Sequence, residues 1–291
     1  MSASAERRVG GSTHVVGIIG WPVAHSLSPA IHNAAFAAEG LDWVYLPLPV
    51  RPEWLQPALI GLVPLGVAGA NVTMPHKTEA AELIQRRSDD ATLLRAVNTI
   101  VVRGGELEGH NTDVAGFDRF LRRDAGFDPK GRSALLYGTG GAARACALAL
   151  ARGGLQALTV AARDEVRAAP LVKMVEPLGL PVTLVGPADT GELVVDLVVN
   201  ATPVGGAGQG SNHPSLPHLG PDVLVIDLLY DPVSTDLQHR AREAGAAAFG
   251  GLGHLLEQAA LSFELWTGQP APLEVMSAAA LAALADREHL R

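Results

Sequence analysis

Ala134-Leu135-Leu136-Tyr137 runs directly into Gly138-Thr139-Gly140-Gly141-Ala142-Ala143, and Arg144 to Arg152 continues in a pattern that suits a helix. A short apolar strand, a glycine-rich turn with G-x-G-x-x-A spacing and a helix, in that order, open a dinucleotide-binding unit. Gly138 allows the tight turn, and Gly140 lets the backbone approach a pyrophosphate. Ala143 is small enough for the helix to sit close to the sheet, while the helix N-terminus, where Gly141 and Ala142 lie, turns its amides to the anion. With 32 glycines in the chain an isolated match would mean little. The strand before, the helix after and a second strand ending at Ala162 give it weight.

The residue at the end of that second strand selects the cofactor, because a carboxylate there takes a free ribose 2′-hydroxyl and an arginine takes a 2′-phosphate. The sequence reads Ala162-Arg163-Asp164, with Arg167 one helical turn later. Two guanidiniums favour NADP(H) over NAD(H), although Asp164 opposes a phosphate if its carboxylate points inward. NAD is not excluded.

Outward from this unit, the chain has 291 residues, 48% of them hydrophobic, enough for one large core or two ordinary ones. Its net charge of -8 would repel a phosphate backbone, so nucleic acid is not an expected partner. The single cysteine, Cys146, cannot form an internal disulfide and fits a reducing, cytoplasmic setting. Met1 to Ser12 read as a loose polar tail without a secretory signal. The alanine-rich stretch from Val275 to Ala285 is about half the length needed to cross ~30 Å of hydrocarbon, so no membrane role is expected.

Strands are expected at Val15 to Ile19, Val44 to Leu48, Ala68 to Val72, Ala134 to Tyr137, Leu158 to Ala162, Val194 to Asn200 and Val223 to Leu228. Helices fit near 28–39, 52–65, 76–87, 113–123, 141–152 and 234–244, and a leucine and aromatic stripe marks another over 251–268. The alternation predicts an α/β protein of mostly parallel strands. Two domains are expected, each with its own sheet, because the character changes near Asn111: residues 13–112 with 252–291 form one, and 113–251 the Rossmann-type unit. The loop from Thr202 to Pro221 is short enough to be a surface loop.

Asn71-Val72-Thr73-Met74-Pro75-His76-Lys77 ends a strand and is expected to open a helix at Pro75. Lys77 shares a helical face with Ala80, Ala81 and Ile84, which is unusual for a lysine; the plain alternative is a stem lying on apolar surface with its head in water. Asn111-Thr112-Asp113 opens another helix, and Asp113 stands one turn before Phe117 on the inward face. The plain alternative there is an N-cap. A helix N-terminus favours the charged carboxylate and disfavours an ammonium, while a touching carboxylate pushes the lysine the other way, so the two effects on Lys77 oppose. Ser26-Leu27-Ser28-Pro29 offers two hydroxyls before a helix, as anion donors or as a cap. The ten histidines lack metal-ligand spacing, His213 and His218 included, and no metal is predicted. Neither an esterase elbow nor a nucleoside-triphosphate loop is present.

These residues together resemble the shikimate dehydrogenase family from about Val15 to Trp266. The motifs are Gly20-Trp21-Pro22, His25-Ser26-Leu27-Ser28-Pro29, His32-Asn33, Asn71 to Lys77 and Ala96-Val97-Asn98-Thr99. Gly109-His110-Asn111-Thr112-Asp113 with Gly116-Phe117, the Gly138 turn, Asn200-Ala201-Thr202-Pro203, Asp227-Leu228-Leu229-Tyr230 and Gly251-Leu252-Gly253 through Gln258 complete the series.

The resemblance implies NADPH-dependent reduction of 3-dehydroshikimate to shikimate, on the route to chorismate and aromatic amino acids. Its active site is expected in the interdomain cleft, with Lys77 and Asp113 as the catalytic pair. Ser26 and Ser28 would take the substrate carboxylate with Tyr230 nearby, and Asn71, Thr73, Asn98 and Gln258 the ring hydroxyls. Arg163 and Arg167 fall where the family clamps the 2′-phosphate; Thr202, Leu228 and Gly251 fall beside the nicotinamide half. Small molecules are the implied partners, with a homodimer allowed. Three positions depart from the family: Ala162 replaces a frequent asparagine, Asp164 a small hydroxyl residue and His254 a methionine. The alternatives are a quinate/shikimate or aminoshikimate dehydrogenase using NAD, and a nucleotide-sensing binding protein without catalysis.

Overall fold

The computed structural model describes residues 9–206 and 215–289. Most of the expected tail, part of the Thr202 to Pro221 loop and His213 therefore lie outside the described residues. The chain divides into two compact units, one comprising the residues up to Thr112 with those from Ala259 onward, the other Asp113–Gln258. The sequence reading put the later junction at 251/252; the difference is the opening turns of the helix that follows.

The first unit runs β1 (His14–Gly20), α1 (Ser28–Ala38), β2 (Trp43–Pro49), α2 (Leu55–Leu62), β3 (Val67–Val72), α3 (Lys77–Leu83), β4 (Arg86–Arg87), α4 (Asp89–Leu94), β5 (Thr99–Arg103) and β6 (Glu106–His110). Its sheet has the order β2-β1-β3-β5-β6-β4. β1 is parallel to both neighbours, and its apolar run is buried from Val16 to Gly20, as a strand covered on both faces requires. Ile19, Leu55, Leu59, Ala70, Ile84, Val97 and Ile100 form the core beneath it.

Two helix expectations change here, while the strands are mostly parallel as expected, with β5 and β6 forming an antiparallel hairpin and β5 lying antiparallel to β3. The signal was Gly104-Gly105, whose φ values of +61° and +80° make the two-residue turn that side chains disfavour. The helix near 52–65 is a 3-10 turn at Pro52–Trp54 followed by α2. Finally, α3 starts at Lys77 rather than Pro75, with His76 as its N-cap, and stops at Leu83 because Ile84 is extended. Arg87, in β4, donates to the carbonyls of Ala81 and Ile84, which satisfies the end of that short helix.

The second unit runs α5 (Asp113–Arg123), β7 (Ser133–Tyr137), α6 (Gly141–Arg152), β8 (Ala157–Ala161), α7 (Glu165–Val175), β9 (Val182–Val185), β10 (Leu197–Asn200), β11 (Leu224–Asp227), α8 (Asp236–Glu243) and β12 (Ala247–Gly250). The sheet order is β12-β11-β10-β7-β8-β9, and every pairing is parallel. This is the doubly wound order of a dinucleotide-binding fold, and its direction reverses between β7 and β10. The sequence reading lacked β9 and β12, two short outer strands, the second opening on two alanines.

α9 (Leu252–Thr267) and α10 (Leu273–His289) complete the chain. The later turns of α9 belong to the first unit, which answers where its apolar stripe packs. Phe263 stacks on Phe36 at 5.3 Å and Trp266 Nε1 donates to the Ile100 carbonyl at 2.9 Å. α10 covers the alanine-rich stretch and lies against α1. Among the described residues, no helix is long and apolar enough to cross a membrane.

Candidate active site

In the second unit the glycine turn sits where the sheet order reverses. Gly138 has φ +109°, and a Cβ there would lie 3.1 Å from the Ala201 carbonyl oxygen and 3.2 Å from Thr202 Cγ2, so only glycine fits. Among the described residues, no atom lies within 4 Å of a notional Cβ at Gly140 or Gly141. Gly140 is the N-cap of the twelve-residue α6 and makes no side-chain cap bond, while Ala142 is half-buried and Ala143 fully buried against the sheet. Open space over a helix N-terminus, at the switch point of a parallel sheet, fits a dinucleotide pyrophosphate.

A buried network holds the neighbouring strand ends. Thr202 donates through Oγ1 and its backbone N–H to Asn200 Oδ1 at 2.6 and 3.0 Å. Asn200 Nδ2 donates to Asp227 Oδ1 at 2.9 Å, and Thr235 donates to Asp227 Oδ2 at 2.6 Å. Gly251, just past β12, leaves no room for a side chain, since its Cβ would stand 2.0 Å from the Leu228 carbonyl oxygen. Thr202, Leu228, Tyr230 and Gly251 thus gather at the carboxyl ends of β10, β11 and β12, the side of such sheets where ligands bind.

Arg163 and Arg167 are exposed just past β8. Between them, Asp164 Oδ1 accepts from the N–H groups of Val166 at 2.8 Å and Arg167 at 3.3 Å, and Oδ2 lies 3.6 Å from Arg167 Nε. Its carboxylate is thus committed to capping α7.

The first unit contains a continuous polar cluster in its core. Asn71, at the end of β3, donates from Nδ2 to the Asn98 carbonyl at 3.1 Å and to Thr99 Oγ1 and Ser262 Oγ at 3.0 Å each. Tyr45 donates to Asn71 Oδ1 at 2.7 Å. Asn98 Nδ2 donates to Thr112 Oγ1 at 3.0 Å, and Thr99 and Ser262 share a hydrogen bond of 2.8 Å. Six buried polar residues satisfying one another specify one arrangement of the elements that carry them. Thr73 lies two residues past Asn71, its N–H donating to the Ile19 carbonyl at 2.9 Å. Ser28 is buried and Ser26 half-buried. The N-cap of α1 is Leu27 rather than a serine; Ser26 Oγ instead accepts from the Ser28 N–H at 3.2 Å.

Lys77 is half-buried, and Ala80, Ala81 and Ile84 beside it are buried. Its carbonyl accepts from the Val97 N–H at 2.9 Å, which fixes the start of α3 next to Asn98. Asp113 is the first residue of α5 and is 6% exposed. A buried carboxylate at a helix N-terminus is favoured in its charged form by the amide dipoles. His254 Nε2 lies 3.2 Å from the Asp113 carbonyl oxygen, with its ring edge-on to Phe117. Gly116 explains its motif: a Cβ there would come within 2.9 Å of the Gln258 backbone N, so α5 and the opening turns of α9 pack closely. Gln258 is half-buried.

Two members of the cluster, Tyr45 and Ser262, were missed from the sequence. Ser262 carried a signal, because it falls between Ala259 and Trp266 on the buried stripe of α9, where a hydroxyl must find a partner. Tyr45, on a strand, carried none. Among the described residues, no group of three His, Cys, Asp or Glu side chains is placed to hold a metal.

Residues 18–100 match the family model for the shikimate dehydrogenase substrate binding domain, and 251–281 that for the shikimate 5'-dehydrogenase C-terminal domain. The shikimate dehydrogenase (NADP(+)) of Methanopyrus kandleri is 44% identical, over 97% of this chain and 98% of its own. That of Desulforamulus reducens is 42% identical over 92% and 95%. Among solved structures, a shikimate dehydrogenase in complex with NADP+ superposes with TM-score 0.88 at 36% identity, covering 95% of this chain and 98% of its own. Shikimate 5-dehydrogenase from Listeria monocytogenes with shikimate and NAD gives 0.86 at 34%, covering 92% and 96%. Quinate dehydrogenase from Corynebacterium glutamicum with NAD also gives 0.86, at 32%, covering 93% and 99%. By sequence along nearly its whole length and by fold, the chain belongs to the shikimate dehydrogenase family.

Proposed function

We propose that the chain catalyses the reversible, NADP-linked reduction of 3-dehydroshikimate to shikimate. The observation that carries this reading is the buried cluster from Asn71 through Asn98 to Thr112. It ends one residue before Asp113, and the N–H preceding Asn98 in sequence binds the Lys77 carbonyl.

The bound dinucleotide supplies hydride to the ketone carbon and takes it back in the reverse reaction. Gly138, Gly140, Gly141 and Ala142 receive its pyrophosphate, Arg163 and Arg167 its 2′-phosphate, and Thr202, Leu228 and Gly251 border its nicotinamide half. As the ketone is reduced, negative charge gathers on its oxygen. The Lys77 ammonium stabilises that charge and delivers the proton; in reverse, the neutral amine accepts it. Asp113 is the carboxylate assigned to the same proton transfer. Ser26 and Ser28 donate to the substrate carboxylate with Tyr230. Asn71, Thr73, Asn98 and Gln258 fix the ring hydroxyls, and with them the carbon that reacts.

Likeness to an NAD-linked quinate dehydrogenase, together with Asp164 beside the two arginines, supports a second reading, a quinate/shikimate enzyme using NAD. Initial rates with shikimate and quinate, each with NADP+ and NAD+, separate the two. The first reading expects the highest kcat/KM for shikimate with NADP+; higher values with quinate or NAD+ select the second. No oxidation with any pair contradicts both and leaves a nucleotide-binding protein. The lone thiol, buried at Cys146, supports a cytoplasmic setting. Whether two chains pair is read from sedimentation.

A further inference from the structure

Tyr45 is 1% exposed and lies against Asn71, which the proposed function assigns to substrate. Its hydroxyl donates to Asn71 Oδ1 at 2.7 Å. The Asn71 amide cannot turn over, because its Nδ2 faces the Asn98 carbonyl and two hydroxyls. Oδ1 is therefore the atom toward Tyr45. The phenol proton is committed to Asn71.

The tyrosine is itself held on every side. β2 is an edge strand, so one side of its backbone has no strand to pair with. Asn33 stands in for that strand: its Nδ2 donates to the Tyr45 carbonyl and its Oδ1 accepts from the Tyr45 N–H, both at 2.9 Å. The neighbouring His32 ring lies face to face with the phenol at 4.5 Å and 7° between planes. His32 is fully buried, and neither ring nitrogen has a hydrogen-bond partner among the described residues, so what it contributes to Tyr45 is its face. The dipeptide His32-Asn33 thus forms a cradle for one side chain.

We propose that Tyr45 is a positioning residue for substrate recognition: through its hydroxyl it fixes the acceptor edge of Asn71, and so sets the affinity for the substrate ring. The inference rests on the reading of Asn71 as a substrate group.

Tyr45→Phe in the full chain removes the hydroxyl and keeps the ring on His32. The expected result is an about tenfold higher KM for shikimate, equivalent to ~1.4 kcal/mol, with kcat within about threefold of the parent and KM for NADP+ unchanged. Asn33→Ala, which frees the tyrosine backbone, is expected to shift KM for shikimate in the same direction and serves if the first variant does not fold. An unchanged KM for shikimate, or equal changes for both substrates with a collapsed melting temperature, overturns the inference. A parent protein that does not oxidise shikimate overturns the functional reading and this inference with it. An active parent whose Tyr45→Phe variant keeps the parental KM overturns this inference alone.

Discussion

Asn98 holds Thr112 on two sides: its Oδ1 accepts from the Thr112 backbone N–H at 2.8 Å, and its Nδ2 donates to Thr112 Oγ1 at 3.0 Å. Thr112 is the residue before Asp113, so the amide of Asn98 sets where the first residue of α5 begins. One side chain thereby holds both polar groups of the residue that precedes Asp113.

Asn98→Ala should accordingly do more than weaken substrate binding. It removes the Asn98 acceptor of the buried Thr112 N–H, at a cost of about 1–3 kcal/mol. We expect kcat to fall roughly a hundredfold along with a rise in KM for shikimate. Steady-state kinetics and thermal melting check this; a change in KM alone would mean that Asn98 does not position α5.

Cofactor choice turns on Asp164. Its carboxylate caps α7 and sits 3.6 Å from Arg167, so it both stabilises the helix and draws on the guanidinium that the proposed function assigns to a 2′-phosphate. Asp164→Ser keeps a capping oxygen and removes the charge. The expected outcome is tighter NADPH binding by several-fold with NADH affinity little changed, measured by fluorescence titration. Equal shifts for both cofactors would place Asp164 outside 2′-phosphate recognition.

Acid stability should depend on His32. Burial pushes its imidazole from 6.5 down to about 3. The unfolded chain therefore binds a proton below about pH 6.5 that the folded chain refuses, and stability present above that pH is lost as pH falls toward 3. The loss is at most ~1.4 kcal/mol per pH unit. His32→Phe keeps an aromatic face on Tyr45 and removes the titration. Its melting temperature should fall less between pH 6.5 and 4 than the parent's, since carboxylates titrate in both. Parallel curves would show that His32 takes up no extra proton on unfolding.

Much of this was legible in the sequence because some residues can serve in only one local geometry. Gly138 at φ +109° and Ala143 against the sheet announced the nucleotide unit from their spacing. Asp113 one turn before Phe117 showed an acid on a buried face. What stayed hidden depended on tertiary partners. The β5–β6 hairpin hangs on two glycines in a chain rich in them, and the early end of α3 follows from β4 pairing with a distant strand. The role of Tyr45 exists only because α1 brings His32 and Asn33 alongside it, which no periodicity in β2 records.

The central claim is that the Lys77 amine moves the proton of the reaction. Lys77→Met keeps most of the stem and removes the ammonium, so the most direct measurement is its kcat for shikimate oxidation with NADP+, alongside its KM for shikimate. The account predicts a loss of about 10²–10⁴-fold in kcat with KM within a few-fold of the parent. A variant that turns over at the parental rate would contradict it.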